Sequence, residues 1–312
     1  MSSYVLEITG AMRRFAEDRG LNDVSLKVAA GEMVALVGPN GAGKTTLMRA
    51  AAGRLQLEAG TVRVNGLDPA KDRKARSALG VVPQTIALYP QLTARENLDI
   101  FARLLGVKGA AIKKAVNDGL ERAGLTSRAN DALGELSGGM QRRLNIIAGT
   151  LHAPKLLLLD EPTVGVDLPA REAIHGLLEA LRDAGMGMLL TTHDLEQAAM
   201  LADRVALMVK GSIVEQGSAA ELVSKVFGDS KELIVALSKP ADTEAEPVLR
   251  ELVLRPTRDR RIWSGPLTVG YEDLPDIERK LEAENLHVAE IRLRDPGLDS
   301  VFLQLTGEVM SS

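Results

Sequence analysis

The stretch GPNGAGKT, residues 38–45, constrains the fold of this chain more than any other. It matches the pattern G-x-x-x-x-G-K-[ST], in which glycines let main-chain N–H groups surround phosphates. The apolar, β-prone run EMVALVG at 32–38 precedes it, and KTTLMRAAAGRL follows with apolar residues at helical spacing. A strand, a glycine-rich loop and a helix in this order predict an α/β protein with a phosphate site at the loop.

The chemistry of this motif assigns roles to its residues. We expect Lys44 to reach the β- and γ-phosphates of a nucleoside triphosphate and Thr45 to bind Mg²⁺. The helix N-terminus adds a partial positive charge that favours the anion. The predicted nucleotide-binding residues of this loop are Gly38, Pro39, Asn40, Gly41, Ala42, Gly43, Lys44, Thr45 and Thr46.

Two further apolar runs, KLLLLDEP and MGMLLTTHD, are typical of strands buried in a parallel sheet, and LPAREAIHGLLEALRDAG between them has helical spacing. The first run ends in Asp160 and Glu161. We expect Asp160 in the magnesium shell and Glu161 where water attacks the γ-phosphate. A solvated pair of acids at a strand end is the alternative.

The rest of the chain changes character twice. Residues 91–150 are almost wholly helix-like and predict a helical subdomain inserted into the sheet domain, whereas TVRVNG and VALMVKGSIVEQG predict peripheral antiparallel strands. After about residue 227, a polar loop at 238–247 precedes a helix in LPDIERKLEAENL, a strand in HVAEIRLR and a last helix in DPGLDSVFLQLTGE. This order predicts a small α+β domain.

The composition excludes several classes of function. With 38 basic and 42 acidic residues the net charge is −4, which gives no broad surface for nucleic acid. The chain has no cysteine, so disulfides, thiolate zinc sites and cysteine-ligated iron–sulfur clusters are excluded. The start lacks the pattern of a secretory signal, and the apolar runs are shorter than the roughly 20 residues of a membrane helix. We therefore expect a chain that does not span a membrane.

A series of motifs in fixed order carries a family resemblance. The chain shows GPNGAGKTT, Gln84 in VVPQ, LSGGMQRRL, LLLLDEP, TVGVD and TTHD. Over roughly residues 4 to 225 it resembles the ATP-binding cassette (ABC) ATPases. The resemblance implies a P-loop nucleotide-binding domain over 1–228, with a helical subdomain at about 85–150 and an antiparallel β subdomain. A small α+β accessory or regulatory domain would then occupy 229–312.

The resemblance also implies roles for residues outside the phosphate loop. Phe15 would stack on the adenine of ATP, although an ordinary buried aromatic is the alternative. Gln84 would sense Mg²⁺ and the γ-phosphate, Glu161 would be the general base, and His193 would contact the γ-phosphate. Asp167 holds the D-loop aspartate position, but TVGVD departs from the more frequent Ser-Gly-Leu-Asp.

The LSGG stretch carries the prediction about assembly. Taken alone, its glycines indicate either a tight turn or an anion site at a helix start. In the ABC family this stretch covers the ATP of the other cassette, so that Ser137, Gly138 and Gly139 would face the γ-phosphate held by the partner subunit's Lys44. One set of motifs cannot build that composite site alone, so a homodimer or a dimer with a close cassette paralogue is expected.

Within the family, SGGMQRRL and the C-terminal ending are most similar to the ATP-hydrolysing subunits of ABC-2-type exporters. This implies a subunit at the cytoplasmic face of the cell membrane that works with separate membrane-spanning permease subunits and exports small molecules or drugs. A soluble ABC ATPase of translation or DNA repair, a P-loop kinase, and an exporter of polysaccharide or lipid are the alternatives.

Two segments keep open interpretations at this stage. Leu88, Tyr89 and Leu92 in TIALYPQLTARENL would form the pocket for the permease's coupling helix or would pack the helical subdomain. The C-terminal domain would serve dimer contact or regulation, or would be a passive stabilising appendage.

Overall fold

The first strands of the chain form an antiparallel sheet that lies beside the phosphate loop. The computed structural model describes residues 4–16, 19–242, 246–257, 260–270, 274–284 and 286–307. Strand β1 (Tyr4–Ala16) pairs antiparallel with β2 (Arg19–Ala29) and with β4 (Ala59–Val64). The antiparallel strand predicted from TVRVNG is thus confirmed as part of β4.

The second sheet has the phosphate-loop strand in its interior. Its strands are β3 (Met33–Val37), β5 (Leu79–Val82), β6 (Leu156–Asp160), β7 (Gly187–Thr192), β8 (Arg204–Val209) and β9 (Ser212–Gly217). The strand order is β5-β6-β7-β3-β8-β9, and the pairs from β5 through β8 are parallel. Every residue of β3 and β7 is buried, which explains their continuous apolar runs. The predicted α/β class is confirmed.

One strand prediction is wrong. The run VALMVK was expected in a peripheral antiparallel strand, but β8 pairs parallel with β3 inside the larger sheet. Its four central residues are completely enclosed, as the burial of Val205, Ala206, Leu207 and Met208 shows. A continuous apolar run is the pattern of a strand covered on both faces, so the apolar run was a better guide than the glycine that follows it.

The helices follow the predicted order. The phosphate loop leads into α1 (Lys44–Ala51), and a short helix α2 (Arg73–Ser77) precedes β5. The helix-like segment contains α3 (Ala94–Leu104), α4 (Ala110–Arg122) and α5 (Gly138–Ala148). β6 and β7 are joined by α6 (Leu168–Asp183), and α7 (Leu195–Leu201) follows β7. In the described part of the chain, no helix has both the length and the apolar character needed to cross a membrane.

The chain divides into two compact units. One comprises residues 1–193 and 201–213, and the other comprises residues 194–200 and 214–312. The larger unit has an apolar core in which residues of β1, β2 and α1, such as Leu6, Val24 and Leu47, lie with residues of the parallel sheet. The domain boundary expected at residue 228 stays a prediction.

The smaller unit is built on an antiparallel sheet. Its elements after β9 are α8 (Ala219–Phe227), β10 (Glu232–Leu237), α9 (Glu246–Glu251), β11 (Arg255–Pro256), β12 (Ile262–Pro266), α10 (Leu274–Ala283), β13 (Val288–Arg294) and α11 (Leu298–Thr306). The strand order is β11-β12-β10-β13, with the fully buried Trp263 in its core. The predicted α+β tail is confirmed. The loop predicted at 238–247 falls partly outside the described residues, and its last two residues begin α9.

Candidate functional site

The phosphate loop connects β3 to α1, and its shape depends on glycine. Gly41 and Gly43 have φ angles of 83° and 107°, in the left-handed region that favours glycine. A Cβ atom on Gly43 would lie 2.6 Å from the carbonyl oxygen of Gly20, so no larger side chain fits there. The first N–H groups of α1 have no partner within the helix, which leaves them available to an anion.

Lys44 is nearly enclosed at the base of this loop. It is 8% exposed, and its Nζ donates to the carbonyl oxygens of Gly38 at 2.5 Å and Pro39 at 3.1 Å. Burial lowers the pKa of Lys44, while the negative charges of Glu161 and Asp160 oppose that shift. A phosphate that replaces the two carbonyl oxygens would supply the negative charge that a buried ammonium requires.

The ends of β6 and β7 place two acidic residues opposite a threonine. The parallel register pairs Asp160 with Thr191. The Thr191 hydroxyl donates to Asp160 Oδ1 at 2.6 Å and accepts from the main-chain N–H of Glu161 at 3.2 Å. Thr191 therefore orients both acids. It was not among the predicted site residues, although it lies in the quoted run TTHD.

Glu161 is held in a strained and well-defined position. Its φ angle is 44°, which is unusual for a residue with a side chain. Oε2 accepts from Gln84 Nε2 at 3.1 Å, and Oε1 lies 3.0 Å from His193 Nδ1. The side chain is only 13% exposed, and its carboxylate contacts two neighbouring side chains. It is therefore not a solvated acid at a strand end.

These groups face one cavity of about 900 Å³. Its walls contain the phosphate loop, the ends of β6 and β7, and an aromatic side chain from β1. The lining residues are Phe15, Gly20, Asn40, Gly41, Ala42, Gly43, Lys44, Thr45, Thr46, Gln84, Asp160, Glu161 and His193. The sequence predicted all of them except Gly20.

Phe15 is on the surface of this cavity and is not buried. It is 56% exposed, and the guanidinium carbon of Arg13 lies 5.3 Å from the centre of its ring. The interpretation of Phe15 as an ordinary buried aromatic is therefore wrong. Gly20, which the sequence analysis missed, pairs with Arg14 between β1 and β2, and a Cβ there would lie 1.8 Å from the carbonyl oxygen of Arg13.

The LSGG residues lie outside this cavity. Ser137 caps α5, since its Oγ accepts from the N–H of Met140 at 3.3 Å. Gly138 is exposed at the helix start. Gly139 packs so closely on α6 that a Cβ would lie 2.3 Å from the Cβ of Ala170. Asp167 caps α6 by accepting from the N–H of Ala170 at 2.9 Å. None of Ser137, Gly138, Gly139 and Asp167 lines the cavity beside Lys44.

The arginines of LSGGMQRRL face inward. Arg143 donates to the carbonyl oxygen of Ala123 at 2.6 Å, and Arg142 is 3% exposed and donates only to main-chain carbonyl oxygens. Their charges are thus used inside the subunit. An anion site on this stretch would therefore lie at its helix start.

Comparison with known proteins decides the family. The family model described as ABC transporter matches residues 21–164. The daunorubicin resistance ATP-binding protein DrrA3 of Streptomyces coeruleorubidus is 34% identical over 99% of this chain and 98% of its own length. The Nod factor export ATP-binding protein I of Bradyrhizobium diazoefficiens is 37% identical over 99% of both chains. This chain belongs to the ABC transporter family.

The family identity covers the whole ABC subunit. The linearmycin resistance ATP-binding protein LnrL of Bacillus subtilis is 32% identical and aligns with 98% of this chain, so the relatives share both compact units. The solved ATP-binding subunit of an ABC transporter superposes with a TM-score of 0.64 at 29% identity, covering 71% of this chain and 92% of its own. The ABC subunit therefore has the ABC fold, binds ATP and hydrolyses it.

Replacing Lys44 tests the phosphate loop. The Lys44→Ala chain is expected to bind ATP about 10- to 100-fold more weakly, because charge-assisted hydrogen bonds each contribute about 1.5–3 kcal/mol. Isothermal titration calorimetry measures the affinity. Lys74→Ala, on the exposed face of α2, is the control and should bind as the wild type does. Equal affinity of the Lys44→Ala chain would contradict the assignment.

Proposed function

We propose that this ABC subunit drives the export of a small organic molecule. Two of the relatives named above are resistance proteins for daunorubicin and linearmycin, and the third is named for Nod factor export. The observation that carries the proposal is that the alignments span nearly the entire chain, including the C-terminal unit. Export of polysaccharide or lipid is the alternative cargo class.

A non-transport role is less well supported. The comparisons return transporter subunits for both the sequence and the fold. These relatives favour a transport subunit over a P-loop kinase or an ATPase of translation or DNA repair. ATP-binding subunits of this family work with membrane-spanning permease subunits, so we place this one at the cytoplasmic face of the cell membrane.

The geometry around Glu161 supports its role as general base. Its carboxylate is oriented by Gln84 and His193. With the triphosphate on Lys44, the carboxylate would accept a proton from the water that attacks the γ-phosphorus, while the bond to the β–γ bridging oxygen breaks. His193 and Lys44 would then contact γ-phosphate oxygens, and Phe15 would hold the adenine at the far end of the cavity.

The residues present also suit Mg²⁺ bound together with ATP. Thr45, Gln84 and Asp160 all line the cavity and offer the oxygen ligands that Mg²⁺ prefers. Among the described residues, no group of three or more acidic, histidine or cysteine side chains could hold a metal by itself. An Mg²⁺ ion bound with ATP would take its other ligands from the phosphates and would neutralise part of their charge.

The Glu161→Gln chain tests this chemistry. The amide has a similar shape but cannot accept the proton, so steady-state hydrolysis should fall by about 10²–10⁴-fold while ATP affinity persists. Because hydrolysis no longer separates the subunits, an ATP-dependent dimer should accumulate in size-exclusion chromatography. Glu172→Gln, at an exposed position on α6, is the control. Near wild-type turnover of Glu161→Gln would show that the base is misassigned.

The position of the LSGG residues supports a head-to-tail dimer. Ser137, Gly138 and Gly139 lie outside the cavity of their own subunit, while the N-terminus of α5 carries the partial positive charge that favours a phosphate. We infer that this helix start covers ATP on a second cassette, either an identical chain or a close paralogue. ATP bound between the two would hold them together, and its hydrolysis would release them.

The surface after Gln84 supports a permease contact. Tyr89 is 48% exposed and its ring centre lies 6.3 Å from that of Phe101. The fully buried Asn97 fixes the main chain of Tyr89 by accepting from its N–H at 2.8 Å and donating to its carbonyl at 3.0 Å. Phe101 also lines a groove of about 300 Å³ together with Val81 and Leu105. We propose that this groove receives a short helix of the permease.

The three residues expected to form this pocket differ in their roles. Leu88 is 7% exposed and packs inside the subunit, and Leu92 is partly buried. Of the three, only Tyr89 presents a large exposed surface. Tyr89 therefore suits the permease pocket, whereas Leu88 and Leu92 suit packing of the helical subdomain. The segment passes from a loop into the start of α3, so its sequence has no regular spacing that separates the buried residues from the exposed one.

Replacing Tyr89 tests the permease contact. Tyr89→Asp places a charge on an apolar contact, and the fraction that sediments with membranes of cells containing the permease should fall by at least about 10-fold, as expected for an aromatic anchor. Leu67→Asp, at a similarly exposed apolar residue, is the control. If the Tyr89→Asp and Leu67→Asp chains sediment alike, the surface around Tyr89 is not the permease contact.

A further inference from the structure

The side chain of Arg142 is fully hydrogen-bonded to main-chain carbonyl groups of residues at the ATP cavity and next to them. Its guanidinium has five N–H groups, and each has a carbonyl acceptor. Nε donates to Pro162 at 2.7 Å, Nη1 to Pro83 at 2.9 Å and Gln84 at 2.6 Å, and Nη2 to Asp160 at 3.1 Å and Glu161 at 2.5 Å. One side chain thus joins two segments, 83–84 and 160–162.

The two segments are those that position the reacting groups. Gln84 and Glu161 bond to each other through their side chains, and Arg142 bonds to the carbonyl oxygens of both residues. Glu161 has a left-handed φ of 44°, a conformation that persists only where its surroundings hold it. Arg142 supplies part of that support, because it donates to the carbonyl oxygen of Glu161, while the Thr191 hydroxyl accepts from the N–H of Glu161.

The charge of Arg142 fits this location. Burial lowers the pKa of Arg142, and the negative charges of Asp160 and Glu161 oppose that shift. A guanidinium stays protonated even when buried, so a fixed positive charge lies behind the two acids.

Arg142 also lies on the helix that begins at the LSGG residues. α5 starts after its cap Ser137, and Arg142 follows five residues later, about 7 Å along a rigid helix. In the dimer proposed above, on which this inference rests, Ser137 faces the ATP of the partner while Glu161 acts on the ATP of its own subunit. α5 and Arg142 are a direct covalent and hydrogen-bonded link between the two.

We propose that Arg142 is a positioning residue that couples the two ATP sites of the dimer. A shift of α5 when Ser137 engages the partner's ATP changes the distances from Arg142 to Gln84 and Glu161, and hence the placement of the base in its own site. Each subunit then reaches full activity only when its α5 is seated on nucleotide. This predicts that hydrolysis depends cooperatively on ATP.

The Arg142→Lys chain tests this role. Lysine keeps the charge, but its three N–H groups on one atom cannot reach five carbonyl oxygens in two segments. We expect kcat to fall at least about 10-fold, the ATP dissociation constant to stay within about two-fold, and the Hill coefficient for ATP to fall from between one and two towards one. A loss of stability alone does not produce this combination in the folded protein.

Arg143→Lys is the matched control. Arg143 is the next residue on the same helix, and it donates to the carbonyl oxygen of Ala123 at the end of α4. The control should keep its kcat and Hill coefficient even if its thermal stability falls. Should the Arg142→Lys chain fail to fold, Arg142→Gln is measured in the same way, since its amide can serve only some of the five acceptors.

Two outcomes overturn the inference: a kcat for Arg142→Lys within about two-fold of the wild type, or a lower kcat with an unchanged Hill coefficient. Dimer formation by Glu161→Gln with ATP is measured in parallel. If that variant forms no dimer, the head-to-tail proposal fails. If it forms a dimer while Arg142→Lys keeps full cooperative turnover, only the coupling role fails.

Discussion

The parallel register of β6, β7 and β3 is the constraint on which the rest of the site depends. It aligns Asp160 with Thr191 and Val37 with Thr192, so the three strands end at one edge of the sheet. The carboxyl ends of parallel strands are where α/β folds place their ligands. Asp160 is the last residue of β6, while the phosphate loop, Glu161 and His193 follow directly after the ends of their strands, and this is why distant motifs meet in one cavity.

Two glycines of the phosphate loop let the loop pack closely against neighbouring backbone at this edge of the sheet. Gly38 lies so near the carbonyl oxygen of Met208 that a Cβ would come within 2.0 Å of it, and Gly43 is similarly close to Gly20. The loop therefore rests directly on neighbouring backbone, and Lys44 is enclosed at its base. Burial lowers the pKa of Lys44, and a phosphate bound beside its ammonium would oppose that shift, as the charges of Glu161 and Asp160 do.

Motif order predicted the cavity, but contacts across the fold were only partly accessible from the sequence. Lys44 and Glu161 could be identified from the sequence because each lies in a short motif whose chemistry determines the neighbouring residues along the chain. Thr191 and Arg142 were missed as site residues because their roles arise from pairing between strands and from the path of a buried side chain. β8 was misplaced because the glycine after it suggested a hairpin, whereas its burial in the sheet depends on the partner strand β3.

Two strands of the first sheet, β1 and β2, were not predicted from their own residues for a related reason. β1 and β2 contain register shifts and charged residues, so their alternation of apolar and polar residues is interrupted. The last helix was easier, since Val301 and Phe302 follow Leu298 by three and four residues, and all three are buried in the structure. Regular periodicity thus predicts an element well, while irregular strands are defined by the partner to which they bond.

The central claim is that a subunit's LSGG residues act on the ATP of a second cassette. Because the chain has no cysteine, single cysteines report on this directly. Asn40 and Gly138 are both exposed. Asn40→Cys is introduced into one Glu161→Gln chain and Gly138→Cys into another, and the two chains are mixed. The account predicts an oxidised cross-link between the two chains that forms with ATP and not without it. Failure to cross-link in the presence of ATP, with nucleotide binding intact, would contradict the head-to-tail arrangement.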